Sequence, residues 1–170
     1  MKNIIILLIA IYIYGCASPY ANSGIGLGGY TESQYKQNVF EVMFDGNGFT
    51  SFKRASDLCL LRCAELCKLN GYKYFVIIEG SNMVAYSQYT MPTHTSTTGS
   101  ATIVGNTIYG SSQSRTTGGE TIIFAKPIIK NSIVCSNEEP VEVYSFEADF
   151  IIKSITSKYN IKLKPLGKVN

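Results

Sequence analysis

Residues 44–77, FDGNGFTSFKRASDLCLLRCAELCKLNGYKYFVI, decide the fold. The turn-forming residues after the first phenylalanine end a strand, and Thr50 or Ser51 supplies a hydroxyl that can cap a helix. The spacing of the apolar residues predicts that helix over 51–69, and the Asn-Gly pair that follows stops it. Residues 72–79 then form a strand rich in β-branched and aromatic residues, which is typical of burial on both faces.

The helix has two faces when its residues are placed at 100° intervals. The apolar face comprises Ala55, Cys59, Leu60, Cys63, Leu66 and Cys67, and the polar face comprises Asp57, Glu65 and Lys68. Arg62 lies at the edge, three residues before Glu65, where it can pair with that carboxylate. We therefore expect Asp57, Arg62 and Glu65 to form either an ion network that fixes the helix to the sheet or a recognition face.

The rest of the chain continues this alternation of strands and helices. Residues 146–159 keep an apolar spacing of three and four, which predicts a C-terminal helix capped by Ser145 and ended by a left-handed Asn160. The predicted strands are 39–44, 83–89, 120–126 with Pro127 at its end or edge, 132–135 and 141–144. We predict an α+β fold, a mainly antiparallel sheet with one long helix after the first strand and the C-terminal helix packed on one face.

Residues 90–119 differ in composition from their surroundings. They are rich in Ser, Thr and Gly and carry one basic residue, Arg115. A hairpin is predicted within them, from Ala101–Val104 through a Gly-Asn turn to Thr107–Tyr109. Because large apolar groups are few, we expect either a long mobile excursion or an exposed ribbon.

The N-terminal residues 1–16 read MKNIIILLIAIYIYGC. Lys2 and the apolar run 4–13 have the layout of a secretory signal, and the run is too short to span a bilayer. The residues before and at Cys16 resemble the lipobox of bacterial lipoproteins, in which the cysteine is lipidated and begins the mature chain. The alternatives are an ordinary signal peptide with an incidental cysteine and a short N-terminal anchor helix.

The lipobox resemblance implies an organisation for the whole chain. Residues 1–15 would be a lipoprotein signal peptide, residues 16–35 the lipidated Cys16 and a flexible tether, and residues 36–170 a single domain. Ala17 rather than Asp follows Cys16, which in Gram-negative lipoproteins implies release to the outer membrane. We therefore expect the protein in the cell envelope, held at the outer membrane and facing the periplasm.

Three further stretches carry a family resemblance. They are GGYTE at 28–32, the 44–77 stretch quoted above and EADFIIKSITSKYN at 147–160. Together with the lipobox they resemble a family of small, functionally uncharacterised proteobacterial lipoproteins with GGYSE, GNGYT and RAxDxxLLRAAELT motifs. The residues that match the helix motif are Arg54, Asp57, Leu61, Arg62, Ala64, Glu65 and Leu66. The family has small residues where this chain has Cys63 and Cys67, which supports a packing role for them. The resemblance implies a class and a location but no reaction.

Charge and motif content exclude several classes of function. The chain has 15 basic and 12 acidic residues, and removal of Lys2 with the signal leaves 14 basic residues, so no nucleic acid is expected as a partner. His94 is the single histidine and has no catalytic partner in the sequence. Gly24, Gly26 and Gly29 match a dinucleotide-binding fingerprint by letter but lack the strand and helix around it. We predict no catalytic residue, no cofactor and no metal.

The cysteines other than Cys16 have packing explanations. Cys59, Cys63 and Cys67 lie on the apolar helix face, and a zinc site needs four ligands. We expect buried thiols at these positions and at Cys135, or a disulfide from one helix cysteine to Cys135.

These observations predict a lipid-anchored envelope protein that is not an enzyme. It would bind or scaffold an unknown envelope protein, with residues 90–119 as the contact element. One alternative is a redox- or metal-active lipoprotein that uses the helix cysteines. The other is a surface protein that self-associates by strand pairing.

Overall fold

The computed structural model describes residues 17–23 and 28–163, so the predicted signal peptide and Cys16 lie outside the described residues. The described elements are seven strands and two helices. The strands are β1 (Gly29–Lys36), β2 (Val39–Asp45), β3 (Tyr74–Thr90), β4 (His94–Val104), β5 (Thr107–Thr117), β6 (Thr121–Ser136) and β7 (Phe146–Glu147), and the helices are α1 (Phe52–Leu69) and α2 (Ala148–Tyr159).

The predicted α+β class is confirmed. Five strands form one sheet in the order β1-β2-β6-β3-β7, and β4 and β5 form a separate two-stranded sheet. The β1–β2, β2–β6 and β3–β7 pairs are antiparallel. Helix α1 packs against β2, and α2 packs against α1 and β7. Within the described part of the chain, neither helix is long and apolar enough to cross a membrane.

Alternation along β2 builds the interface with α1. Phe40, Val42 and Phe44 are buried, whereas the residues between them are half-buried, as the period of two in a strand requires. These side chains meet buried residues from both helices, β3 and β6. The remaining core residues are Ala55, Leu58, Cys59, Leu61, Cys63, Ala64, Leu66, Cys67, Phe75, Ile129, Ile133, Cys135, Ala148 and Ile155.

Three of the four helix ends follow local sequence signals, and one of them is the end of α1 at Leu69, directly before the Asn-Gly pair at 70–71. The hydroxyl of Ser51 accepts a hydrogen bond from the Arg54 amide at 3.2 Å, as an N-cap should. Asn160 ends α2 in the left-handed conformation, with φ 52°. The prediction for the start of α2 is wrong, because Phe146 and Glu147 pair with β3 and the helix begins at Ala148 without a side-chain cap.

Some strand predictions are also wrong. The predicted strands 72–79 and 83–89 belong to one continuous strand, β3, and residues 141–144 form no strand. Pro127 lies inside β6 rather than at its end. It lies directly before Ile128, where the paired stretch of β6 with β2 begins. The Pro127 carbonyl accepts a hydrogen bond from the Gly46 amide at 2.7 Å. Its missing N–H therefore breaks no bond of the β2–β6 ladder.

Residues Tyr86–Phe124 form a second compact unit, which contains the predicted hairpin. The β4–β5 pair turns at Gly105 and Asn106, as expected, and continues to His94 and Thr117, well beyond the predicted strands. Every residue of both strands is exposed, so residues 90–119 contain an exposed ribbon. Hydroxyl pairs face each other across it, among them Thr95–Thr116 at 3.0 Å and Thr97–Ser114 at 2.8 Å.

Candidate functional site

The segment 17–23 is attached to the domain by hydrogen bonds. The prediction that it belongs to a flexible tether is therefore wrong for these residues. Ser18 is fully buried. Its amide donates to the Thr50 hydroxyl at 2.9 Å, and its own hydroxyl accepts from the Asn47 amide at 2.8 Å. Farther along, the Ser23 amide donates to the Tyr30 carbonyl at 2.8 Å. The chain is therefore held by hydrogen bonds from its second residue after Cys16.

Gly28 and Gly29 are the glycines of the predicted tether that lie within the described residues, and both are closely packed. Gly28 adopts φ +77°, and a Cβ atom there would lie 2.3 Å from the Asp45 carbonyl oxygen. Only glycine fits this conformation and this approach. The chain then enters β1, which pairs with β2 from Gly29 to Lys36, so the part of the predicted tether between 29 and 35 is a strand.

Arg62 joins α1 to β1. Its Nε and Nη2 atoms donate to the two carboxylate oxygens of Glu32 at 2.5 and 2.8 Å. Its Nη1 atom donates to Glu65 Oε2 at 2.9 Å, which is the pair expected from the spacing of three. The Tyr30 ring lies under the guanidinium at 4.4 Å, in cation–π geometry. One arginine therefore binds two carboxylates and one aromatic ring from two elements.

Glu65 is buried, and its assignment to the polar helix face is wrong. The residue is only 3% exposed. Its Oε2 atom accepts hydrogen bonds from Arg62 and from the Tyr20 hydroxyl. The spacing along the helix explains why Glu65 is buried. Glu65 follows buried Leu58 by seven residues and buried Leu61 by four, and residues at these spacings lie on the same helix face.

The ionisation of this cluster suits attachment rather than proton transfer. Burial and the Glu65 carboxylate raise the pKa of Tyr20 far above its ordinary value, so Tyr20 stays a hydrogen-bond donor. Burial lowers the pKa of Arg62, but its bonds to Glu32 and Glu65 outweigh this and raise the net pKa. Tyr20 and Arg62 therefore each keep one protonation state at neutral pH, whereas a general acid or base needs a pKa near the operating pH.

Asp57 belongs to a different cluster. Its carboxylate accepts hydrogen bonds from the Lys158 ammonium and, at 2.7 Å, from the Tyr159 hydroxyl, which joins α1 to α2. Lys53 lies 3.9 Å away on α1. Partial burial raises the pKa of Asp57, but the bonds from Lys158 and Tyr159 and the nearby ammonium charges lower it more, so the net pKa is below the ordinary value. The three charged residues predicted to act together are therefore divided between two networks.

The four cysteines of the described chain are free thiols in the core. The Cys59 thiol donates to the Val42 carbonyl at 3.6 Å, and the Cys67 thiol donates to the Tyr74 carbonyl at 3.2 Å. Burial, followed by the neighbouring Cys59, raises the pKa of Cys63. A hydrogen bond with Cys135, followed by burial, raises the pKa of Cys67. Since the thiolate is the nucleophile, Cys63 and Cys67 are in their unreactive form.

The other candidate ligands do not converge. Among residues 17–23 and 28–163, no group of three or more His, Cys, Asp or Glu side chains is placed to hold a metal ion. His94 lies at the start of β4, in the exposed ribbon. A shallow cavity of about 260 Å³ lies between the β2–α1 loop and β6 and contains Asp45 and Lys126, but drug-sized ligands usually occupy 300–1,000 Å³.

Loss of the Tyr20 hydroxyl is expected to release the N-terminal segment. Tyr20→Phe leaves Glu65 with one donor fewer in a buried site, and bonds to charged groups contribute about 1.5–3 kcal/mol. We expect urea unfolding to show a loss of about 2 kcal/mol, and hydrogen exchange to speed up at the amides of Ser18 and Ser23. Tyr35→Phe is the control, because Tyr35 is exposed on β1. Unchanged exchange in Tyr20→Phe would contradict the attachment.

The four thiols are expected to resist alkylation in the native protein. Peptide mass analysis after treatment with iodoacetamide should find Cys59, Cys63, Cys67 and Cys135 unmodified, and all four modified in urea. Ser111→Cys, on exposed β5, is the control and should react about 100-fold faster than any of them. Rapid labelling of the native protein would instead support the redox-active alternative. So would a reversible mass decrease of two hydrogens, caused by a disulfide between two of these cysteines.

No protein-family model, curated protein sequence or solved structure matches this chain. The resemblance to small lipoproteins therefore depends on the motifs quoted from the sequence.

Proposed function

We propose that this chain is a lipid-anchored protein of the bacterial cell envelope that binds or scaffolds another envelope protein. The observation that carries the proposal is Cys16, which follows a basic residue, a short apolar run and Gly15. In the proposed mature protein, Cys16 carries a diacylglyceryl thioether and an acylated amino group. Each buried methylene contributes about 0.8 kcal/mol, so more than one acyl chain gives stable anchoring.

The proposed location is the outer membrane, with the domain in the periplasm. Ala17 stands where an aspartate would favour retention at the inner membrane in proteins that this signal resembles. The thiol state is compatible with an oxidising compartment, because a buried protonated thiol reacts slowly with disulfides.

A role without catalysis is supported by what the ionisable side chains do. Arg62, Glu65 and Glu32 bind one another across α1 and β1, and Asp57 binds α2. Each network connects secondary structure elements. The raised pKa values of Cys63 and Cys67 keep these two thiols protonated, so they supply no nucleophile. These features favour the binding role over the redox- or metal-active alternative.

The ribbon is the proposed contact element. Both of its faces are exposed, and its tip carries the large side chains of Ile103, Val104, Ile108 and Tyr109 among Ser, Thr and Gly. An isolated two-stranded hairpin is at best marginally stable in water. Burial of these side chains against a partner would stabilise the ribbon, and exposed tyrosine among small polar residues is typical of adaptable contact surfaces. Crosslinking from this tip in the anchored protein would identify the partner.

The lipid anchor is tested by removal of its attachment atom. Cys16→Ser is expected to abolish labelling by radioactive palmitate and to move the protein from the membrane fraction to the soluble fraction. Cys63→Ala is the matched control, because it removes a thiol from the core and leaves Cys16 intact. It should keep both the label and the membrane fraction. Membrane retention of the Cys16→Ser protein would overturn the proposal.

Self-association through the ribbon is a second candidate function, favoured by the open edges of its sheet. The described sheet contains β4 and β5 alone, so each strand has one edge without a neighbour. Between His94 and Thr117 the chain has no lysine or proline and one charge, Arg115, whereas proteins usually protect edges with such residues. A second copy of the ribbon would satisfy these edge groups by strand pairing.

This second candidate predicts a change of mass when the ribbon is removed. Joining Pro92 to Gly119 deletes 93–118 and keeps Met91 and Glu120, whose backbone groups are hydrogen-bonded at the base of the ribbon in the full chain. Analytical ultracentrifugation in detergent should then find a monomer, against an oligomer for the full chain. Thr98→Lys is a milder variant that keeps the hairpin and adds an edge charge, and it should weaken the oligomer. Monomers in all three cases would remove this candidate.

A further inference from the structure

The chain between Cys16 and the folded domain is too short to hold the domain away from a membrane. Ser18 is fully buried and is hydrogen-bonded through its amide and its hydroxyl to the β2–α1 loop. An extended chain spans at most about 3.6 Å per residue, so the Cα atom of Cys16 lies within about 7 Å of that of Ser18. The polar headgroup layer on each side of a bilayer is about 5–7 Å thick. An acylated Cys16 therefore brings Ser18 and the loop that binds it to the headgroups.

The surface next to this attachment point has the side chains that bilayer interfaces favour. The loop that binds Ser18 contains Phe49, which is 64% exposed, and α1 begins two residues after Thr50 with Phe52, which is 42% exposed. The neighbouring Lys53 side chain is 77% exposed. Aromatic rings and lysine side chains are enriched where proteins contact the interface between headgroups and acyl chains.

We propose that Phe49, Phe52 and Lys53 form a membrane-contact surface that lays the domain directly on the lipid headgroups in one orientation. This inference rests on the proposed lipidation of Cys16, and the occupant is the leaflet that holds those acyl chains. The rings enter the interface beside the acyl chains, and the Lys53 ammonium lies at the level of the lipid phosphates. The domain therefore lies against the membrane surface and is not separated from it by a long flexible linker.

An exposed phenylalanine near the other end of α1 serves as a control position for this orientation. The helix has 18 residues and is about 27 Å long. Lys68, in its last turn, pairs with Asp149 of α2. The adjacent Phe150 is 66% exposed, like Phe49, but lies at the end of α1 far from Ser18. Two phenylalanines of similar exposure therefore lie near opposite ends of α1, Phe49 in the loop before its first turn and Phe150 on α2 beside its last turn.

Tryptophan fluorescence tests this orientation, because the chain contains no tryptophan. Full-length lipidated Phe49→Trp, Phe52→Trp and Phe150→Trp are reconstituted into phosphatidylethanolamine–phosphatidylglycerol vesicles with or without brominated acyl chains. We expect bromine to quench the first two variants about twofold, as for residues 5–10 Å inside the interface, and to leave Phe150→Trp unchanged. Phe52→Trp keeps the test valid if Phe49→Trp misfolds, and circular dichroism checks each variant.

Flotation of the same vesicles separates this inference from the proposed function. Protein that floats but is unquenched at both loop positions would overturn the membrane-contact surface and leave the lipid anchor standing. Equal quenching of all three variants would overturn the single orientation. Protein that carries no lipid and does not float would overturn the proposed function and this inference together.

Discussion

The buried carboxylate of Glu65 is the constraint on which the arrangement of the N-terminal half depends. It meets Arg62 of α1 and the hydroxyl of Tyr20, and Arg62 in turn holds Glu32 of β1. Loss of the Arg62 side chain would leave Glu65 as an uncompensated buried charge, which typically costs about 3–5 kcal/mol. The segment 17–23, strand β1 and helix α1 are therefore linked through one network of charged and hydrogen-bonded side chains, which fixes the position of the chain that follows Cys16.

Helix α1 connects the other parts of the domain through different faces. Its thiols and leucines pack on the sheet, its Glu65 side binds the N-terminal segment, and Asp57 binds the last turn of α2. Small thiols suit the face against the sheet because they pack like small apolar groups while their S–H groups reach strand carbonyls at short range.

Local signals in the sequence predict an element correctly where the residues at its ends form the cap or the turn themselves. The Ser51 cap, the left-handed Asn160 and the Gly-Asn turn of the ribbon are of this kind. Strand β1 carries no such signal, because seven of its eight residues are exposed or half-buried and show no alternation. The Arg62–Glu65 pair follows from spacing alone. Its partners Tyr20, Tyr30 and Glu32 come from segments more than 25 residues away, and pattern reasoning has no access to contacts of that range.

The base of the ribbon has an evolutionary consequence. The Met91 amide donates to the Glu120 carbonyl and the Gly119 amide to the Met91 carbonyl, while the left-handed Gly118 lets the chain pass close to Pro92. This closed base fixes where the two arms begin, whatever their length. Side chains alternate between faces along a strand, so a single inserted residue would flip one arm, whereas one residue added to each arm keeps the register. Lineages carrying this domain can thus lengthen or shorten the arms in matched steps, and diversify what the tip reaches, without rebuilding the core.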